Sequence, residues 1–440
     1  MLHENFIHLH TVSGYSFKFG TASPADLVAA ANRNGFTSLA LTDRDTLAGT
    51  IRFAKSCIAH EITPIIGITI KFLSEHHRVT LLARSGGGYS SLVRLVSALK
   101  LKLAHNEKPV LARADLENYA DLTRDLFLLH GPDSLLQESI AGRQPELALR
   151  HLQMVGEAFP HQVIECVSHL APSGSRSTQM AARALGFARD HGIRAILSND
   201  VRMIERSDAP LADILDAVRH LAPLHEKNVK RMNAEAFLKS SGEMFQVAKE
   251  LAYAAGERGP DRLLIDTREV AEASMLSPRH EIGIGEIHLP EPEMVGARDR
   301  DEMVQIFRQR CFAGVNLRYS SQSDDRDYQR IRDRLDDEID AIRILGFESY
   351  FLTVADIAQG ARELGIRTAA RGSGAGSLVC YLLGIGSVDP LAHGLIMERF
   401  CSPLRRELPD IDIDVESARR LEIYDLVFAR YGAQVAKTKS

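Results

Sequence analysis

Short apolar runs alternate with amphipathic stretches over the first 205 residues. Runs rich in Val, Ile, Leu and Phe predict strands, and the longer stretches between them have the 3.6-residue spacing of helices. One helix has clear boundaries, because Ser23 and Pro24 provide a cap and a first-turn proline, and Gly35 ends the pattern. The predicted strands are Phe6 to His10, Ser38 to Thr42, Val79 to Ala83, Leu126 to His130, Gln162 to Val167 and Arg194 to Asn199.

Strands that alternate with helices predict parallel strands joined by crossovers, in a doubly wound sheet or a barrel. In both folds, ligands gather at the carboxyl ends of the strands. A His-x-His pair there, with later histidine and aspartate, can ligate zinc or manganese. The alternative is that the pair is only hydrogen-bonded. The polar residues at these ends are His8, His10, Asp43, His130, His169 and Asp200.

The middle of the chain has a helical pattern. Over 206–275 a helix start is predicted at Asn233–Leu238, and a later helix carries an apolar face of Met244, Val247 and Leu251. Frequent Pro and Gly predict a linker over 276–300.

Residues 301–345 are rich in charge and predict a loop, followed from about Tyr328 by an amphipathic helix. The charge run Asp336-Asp337-Glu338 is typical of a solvated face. Residues 350–365 predict a helix whose aromatic residues pack into a core. The apolar stripe of the amphipathic helix is Ile331, Leu335, Ile339 and Ile342.

Near the end of the chain, three aspartates alternate with three apolar residues. This two-residue period is that of a strand, so the three carboxylates share one face. Like charges in such a file need water or cations, and two divalent ions held by carboxylates can drive phosphoryl transfer. The alternative is a half-buried strand with a solvated acidic face. The residues are Asp410, Ile411, Asp412, Ile413, Asp414 and Val415.

A glycine-rich turn precedes this strand, in residues 369–386. It predicts a turn at Gly372-Ser373 that opens into an apolar helix near Ala375. Glycine allows close backbone approach to a phosphate, and a helix start offers unpaired N–H groups. Together with the acidic strand, the turn predicts nucleotidyl transfer. Arginines for a polyphosphate tail are Arg371, Arg399, Arg405 and Arg406.

Composition limits the kinds of protein that this chain can be. With 440 residues, 45% hydrophobic and 25% charged, the chain is ordinary globular protein with two to three domains. Its net charge of -5 gives no overall attraction to nucleic acid. The five cysteines include no CxxC pair, which favours a reduced cytoplasmic location, and no apolar run of about 18 residues predicts a membrane span.

Residues 345–415 resemble the palm of bacterial C-family DNA polymerases, the DNA polymerase III α subunits. The matching motifs, in order, are Leu-Gly-Phe-Glu-Ser-Tyr-Phe, Arg-Gly-Ser-Gly-Ala-Gly-Ser, Met-Glu-Arg-Phe and Pro-Asp-Ile-Asp-Ile-Asp. The resemblance implies that Gly372, Ser373 and Arg399 contact nucleotide phosphates and that Asp410 and Asp412 bind two magnesium ions. It also implies that a third catalytic aspartate lies further on, with the thumb and fingers.

Residues 6–205 are similar to the PHP domain, a phosphoesterase-like barrel that opens these polymerases. The matching motifs are Phe-Ile-His-Leu-His, Leu-Thr-Asp-Arg-Asp, Pro-Ile-Ile-Gly and Ser-Asn-Asp. Family metal ligands are matched by His8, His10, His169 and Asp200. The departures are Phe19 for an acid, Arg44 for histidine, Thr69 for glutamate, Arg78 for histidine, Pro132 for cysteine and Arg202 for histidine.

A guanidinium is always cationic and only donates hydrogen bonds, so arginines at ligand positions argue against a metal cluster. We therefore predict a degenerate PHP site without nuclease or phosphoesterase activity, in which arginines replace the metals and pair with Asp43 and Asp200.

The predicted fold class is a PHP-type (β/α) barrel followed by the first part of a polymerase-β-like nucleotidyltransferase palm (α+β). Residues 1–275 form the PHP-like domain with a helical extension, 276–300 a linker, and 301–440 the incomplete palm. The implied partners are primer–template DNA, deoxynucleoside triphosphates and, through a missing C-terminal region, a sliding clamp. The eroded PHP ligands favour the error-prone branch of the family.

These motifs leave open whether the chain is an active polymerase by itself. A palm without its third carboxylate, thumb and fingers is expected not to extend a primer by itself. The other interpretation is a catalytically inactive truncated product or fragment, acting as a folding or interaction module. The loss of apolar periodicity from Gly432 onward is consistent with such an end.

Overall fold

The computed structural model describes residues 5–102, 109–225, 233–319, 325–404 and 407–438. The chain divides into two compact units, a first that ends at Gly285 and a second over Glu286–Thr438. Each unit has hydrophobic clusters of its own. Within the described part, no helix combines the length and apolar character that a membrane span requires.

The first unit contains a curled mixed sheet. Its strand order is β1-β2-β3-β5-β6-β7, with β4 paired to the end of β2. Strand β3 runs antiparallel to both β2 and β5, and the other pairs are parallel. The strands are β1 Ser38–Leu41, β2 Thr63–Phe72, β3 Arg78–Ala83, β4 Val110–Leu111, β5 Leu126–His130, β6 His161–Val167 and β7 Ala195–Ser198.

Two expectations about this sheet were wrong. The sheet is not all parallel, because β3 runs antiparallel to its neighbours. Residues 73–77 between β2 and β3 are too few for the crossover helix that a parallel pair requires. The ten-residue strand β2 was missed, since Pro64 and Gly67 are unusual inside a strand. Gly67 is required there, because a Cβ would lie 2.4 Å from the backbone oxygen of Leu81.

The predicted strand at Phe6 to His10 is an extended segment without regular strand pairing. Its carbonyls nevertheless bridge the two edges of the sheet. The Ala40 N–H donates to the His8 oxygen at 3.0 Å, and the Val201 N–H donates to the His10 oxygen at 2.9 Å. The segment therefore connects β1 to the residues after β7, as in a barrel rather than a doubly wound sheet.

Helix α1 confirms the predicted cap, because Ser23 Oγ accepts from the Asp26 N–H. The predicted helix start at Asn233–Leu238 was wrong, since α10 begins at Ser241 after a capping box of Ser240 and Glu243. The helices of this unit are α1 Pro24–Arg33, α2 Thr50–Ala59, α3 Gly88–Leu101, α4 Arg113–Asn118, α5 Ala120–Thr123, α6 Leu135–Ala141, α7 Pro145–Gly156, α8 Thr178–Asp190, α9 Ala209–His220, α10 Ser241–Ala254 and α11 Asp261–Ser274.

The second unit packs helices beside a two-stranded antiparallel sheet. The loop expected after residue 300 is instead a helix, α12, capped by Asp299 and anchored by the buried Phe307. Helix α13 confirms the predicted apolar stripe, whose four residues are all buried. The elements are α12 Arg300–Arg318, α13 Asp325–Leu345, α14 Glu348–Glu363, β8 Thr368–Arg371, α15 Leu378–Leu382, β9 Asp412–Val415 and α16 Arg420–Thr438.

Candidate functional site

The acidic segment forms the edge of the small sheet in the second unit. Strand β9 pairs antiparallel with β8, with Arg371 opposite Asp412 and Ala369 opposite Asp414. All three aspartates are exposed, whereas the apolar residues between them are half-buried, so the predicted alternation is present. Asp410 itself lies two residues before β9 begins.

The apolar face fixes this segment against the unit. Ile411 and Ile413 pack on the hydrophobic cluster that contains Phe351 of α14. The Ile411 N–H donates to the Tyr350 hydroxyl at 3.3 Å. Burial raises the pKa of Tyr350, and the negative charges of Asp410 and Asp412 raise it further.

The glycine-rich turn meets the acidic strand at Gly372. This residue has a φ of +73°, and a Cβ there would lie 3.8 Å from Asp412 Oδ2. Arg371 Nε lies 3.4 Å from Asp414 Oδ1, in an exposed ion pair. The exposed Ser373 follows directly. The structure therefore gathers Arg371, Gly372, Asp412 and Asp414 at one corner of the sheet.

The expected helix start for phosphate is wrong in two respects. The helix begins at Leu378 rather than near Ala375, and it is only five residues long. Its first N–H groups are already occupied, because Leu378 and Val379 both donate at 3.0 Å to the buried carboxylate of Glu338. Any phosphate contact must therefore come from the turn at Gly372-Ser373.

Close packing requires one further glycine of the turn. A Cβ on Gly376 would lie 2.4 Å from the Ile396 oxygen, whereas one on Gly374 would lie 3.6 Å from the Phe400 ring, an ordinary contact distance. Arg399 is exposed next to Phe400. Arg405 and Arg406, also predicted to supply charge, lie outside the described residues.

The histidines predicted at the barrel mouth make protein contacts. His8 Nε2 donates to the Lys239 oxygen at 2.8 Å, and His169 Nε2 donates to the Asn199 oxygen at 2.8 Å. Burial lowers the pKa of each to about 4. His10 Nδ1 lies 2.8 Å from Glu165 Oε1 and Nε2 lies 3.4 Å from Asp200 Oδ1. Burial opposes charge on His10, but these two carboxylates outweigh it and raise its pKa.

The two aspartates have different partners. Asp43 accepts from the Ser13 N–H and hydroxyl and from the Ser16 hydroxyl, at 2.7 to 2.8 Å. Burial raises its pKa. The predicted arginine partner of Asp43 was therefore wrong. Asp200 does bind an arginine, but it is Arg176, with Nε at 2.8 Å.

The three arginines at family ligand positions each have another contact. Arg78 forms a bidentate pair with Asp45, both distances being 3.0 Å, and Arg202 pairs with Asp216 at 2.7 and 2.8 Å. Arg44 stacks on the Phe19 ring, 3.4 Å from its centroid. Guanidiniums offer no lone pairs, so arginines at these positions cannot ligate metal, and the set does not fit a trinuclear metal cluster.

Sequence reasoning missed three charged residues that organise these sites. Glu165 has a sequence signal, since a carboxylate inside an apolar strand requires a buried partner. Glu338 has a similar one, because it lies within the apolar stripe of α13. Arg176 follows β6 in a loop and has no such signal.

Two protein-family models match separate parts of the chain. A PHP domain family model matches residues 8–169, and a model described as the bacterial DNA polymerase III alpha NTPase domain matches residues 305–439. The error-prone DNA polymerase of Pseudomonas fluorescens is 30% identical over 99% of this chain and 39% of its own length. These matches identify a PHP domain and a bacterial DNA polymerase III alpha NTPase domain in the chain.

Two further relatives match this chain over nearly its whole length. DNA polymerase III subunit alpha of Bacillus subtilis is 31% identical over 98% of this chain and 36% of its own length. The error-prone DNA polymerase of Symbiobacterium thermophilum is 32% identical over 98% of this chain and 39% of its own length. The chain therefore spans between 36% and 39% of these relatives.

One solved structure gives a more distant comparison. A two-domain protein from Bacteroides vulgatus, described as containing a predicted PHP-like metal-dependent phosphoesterase, matches with a TM-score of 0.30 and 14% identity. The match covers 45% of this chain and 52% of that chain. A likeness at this TM-score supports no conclusion about function.

Proposed function

We propose that the second unit is the first part of a DNA polymerase palm, in which Asp410 and Asp412 hold two magnesium ions for template-directed nucleotidyl transfer. The observation that carries this proposal is the corner where the exposed aspartate file meets the Gly372 turn. An acidic edge beside a turn open to phosphate is what a nucleotide and its metal ions require.

The carboxylates fit magnesium chemically. Both aspartates are exposed, and within the described ranges neither has a cationic side-chain nitrogen within 4.0 Å. Magnesium takes oxygen ligands and is commonly held by one or two carboxylates together with substrate phosphates. Bound ions would neutralise charge that develops on the transferred phosphoryl group. No group of three or more metal-binding side chains occurs among the described residues, and in this proposal the nucleotide phosphates add ligands to the two carboxylates.

The neighbouring residues have separate roles in this proposal. The Gly372 and Ser373 backbone approaches the nucleotide phosphates, and Arg371 and Arg399 supply positive charge to them. Arg371 is held near the site by Asp414, which therefore positions a cation and binds no metal. The apolar side of β9 keeps the aspartates facing outward.

Primer extension tests the proposal in the polymerase that carries this sequence. Asp410→Asn is expected to lower magnesium-dependent extension by about 100-fold or more, because one ligand charge is lost where transition-state charge develops. Asp414→Asn is the matched comparison, since it removes the same charge from the same face; because it only releases Arg371 and removes no metal ligand, its loss is expected to be about tenfold or less. Equal losses in the two variants would contradict the assignment.

We further propose that the PHP-like unit holds no metal cluster and does not hydrolyse phosphoesters. Support comes from the guanidiniums there, since Asp200 binds Arg176, and Arg78 and Arg202 at ligand positions bind Asp45 and Asp216. The proposed domain runs over 1–275 with a linker over 276–300. Leu276 and Ile282 pack in the core of the first unit.

A further inference from the structure

Three guanidiniums converge on one aromatic ring in the first unit. The ζ-carbons of Arg44, Arg202 and Arg219 lie 3.4, 4.1 and 4.9 Å from the centroid of Phe19. The electron-rich face of an aromatic ring attracts a cation. Three like charges around one ring repel each other, so the cluster needs anions to balance it.

Carboxylates supply only part of that balance. Asp216 serves two of the cations, with Arg202 at 2.7 Å and Arg219 at 2.5 Å. Arg44 has no carboxylate oxygen within 4.0 Å in the portion of the chain that the structure describes. Its Nε is buried and lacks a hydrogen-bond partner.

The nearby acids are held elsewhere. Arg176 binds both Asp200 and Asp133, with NH2 distances of 2.6 and 2.9 Å. These two acids therefore lie close to Arg44 without forming an ion pair with it. The positive charge of Arg44 remains available to a ligand.

These side chains line one cavity of about 440 Å³ at the barrel mouth. Among the residues that the structure describes, its charged lining has four arginines and three aspartates, so their formal balance is positive. The planar guanidinium fork matches the oxygen geometry of phosphate and binds it with paired hydrogen bonds. The charged residues are Arg44, Arg176, Arg202, Arg219, Asp133, Asp200 and Asp216.

We propose that this cavity binds a phosphate group without metal and without hydrolysing it, with Arg44 as the principal ligand and Arg219 as the second. The ligand is either inorganic phosphate or the phosphate monoester of a nucleotide. A dianion at this position would accept hydrogen bonds from the Arg44 guanidinium and offset the three-cation cluster on Phe19. This inference is independent of the polymerase site in the second unit.

Calorimetric titration of the purified 440-residue chain tests the proposal. Inorganic phosphate is added in EDTA at constant ionic strength set by sodium chloride, so that metal and general salt effects are removed. Saturable binding is expected, and Arg44→Gln is expected to weaken it about 10- to 100-fold through the loss of charged hydrogen bonds. Because Arg44 has no carboxylate partner, this change leaves no buried acid unpaired.

Two further variants make the result specific. Arg219→Gln should also weaken phosphate binding, whereas Arg52→Gln, an exposed arginine on α2, should leave it unchanged. Thermal unfolding without phosphate shows whether each variant is folded. Unchanged affinity in folded Arg44→Gln protein, or equal losses in Arg52→Gln, would overturn the proposal.

A second ligand separates the two sources of phosphate. Thymidine 5′-monophosphate that binds at least tenfold more tightly than inorganic phosphate would identify a nucleotide end as the ligand. Equal affinities would identify the phosphate group alone as sufficient. Absence of saturable binding by both would reject the site.

Discussion

Glu338→Gln is expected to destabilise the second unit by about 3 kcal/mol. The Glu338 carboxylate is 1% exposed. It accepts from the Leu378 and Val379 N–H groups at 3.0 Å, from Ser377 Oγ at 2.9 Å and from Arg334 Nε at 2.7 Å. A glutamine of the same shape turns an NH₂ group toward these donors in either orientation, so buried donors lose their acceptor.

Urea denaturation measures this loss. Asp337→Asn is the matched control, because it makes the same chemical change one residue away at an exposed position, and it should alter the free energy of unfolding by less than about 0.5 kcal/mol. If Glu338→Gln were as stable as the control, the carboxylate would not be the anion that caps α15.

Arg176→Met is expected to cost the first unit about 3 to 5 kcal/mol, because it leaves a buried carboxylate without its partner. Asp200 is 5% exposed. Burial acts in the opposite direction, but Arg176 and, more weakly, His10 and Arg44 hold the pKa of Asp200 well below its usual range. Without the guanidinium, this pKa rises.

The pH dependence follows from that change. In the wild type, the lowered pKa of Asp200 stabilises the folded state at every pH above the unfolded-state pKa of about 3.9. This stabilisation is lost as the pH falls below that value. In Arg176→Met the raised pKa allows protonation in the folded state, so the gap between the two proteins should narrow from pH 7.5 to pH 5.

Two variants make the Arg176 test specific. Adding Asp200→Asn to Arg176→Met should restore part of the lost stability, because the unpaired charge is removed. Arg189→Met on α8 breaks a half-exposed pair with Asp190 and should cost no more than about 1 kcal/mol. A loss in Arg176→Met no larger than this would show that the pair with Asp200 is not needed for folding.

Local periodicity predicted the elements that carry it most clearly. The aspartates of 410–414 face outward because alternate residues of a strand lie on the same face. Helix α13 buries its predicted stripe because residues three and four apart lie on the same face of a helix. The cap of α1 at Ser23 is equally local. These features depend on residues that are neighbours in sequence.

Long-range partners were not predictable in the same way. Glu338 meets the start of α15 across 40 residues. Its place in the apolar stripe of α13 indicates burial, so the expected solvated face was wrong for this acid, but the stripe does not identify its partners. At the barrel mouth the excess of arginine was visible, but its pairing was not, since Arg176 rather than Arg44 or Arg202 binds Asp200. Such choices depend on which loop reaches the site.

In this proposal the second unit binds metal ions, whereas arginine side chains occupy the corresponding site of the first unit. Titration of the chelator-treated chain with manganese, followed by electron paramagnetic resonance, tests both assignments directly. We expect saturable binding that Asp410→Asn and Asp412→Asn each weaken about tenfold or more and that Asp414→Asn and His169→Gln leave within about threefold. Binding that is lost in His169→Gln and retained in Asp410→Asn would contradict the account.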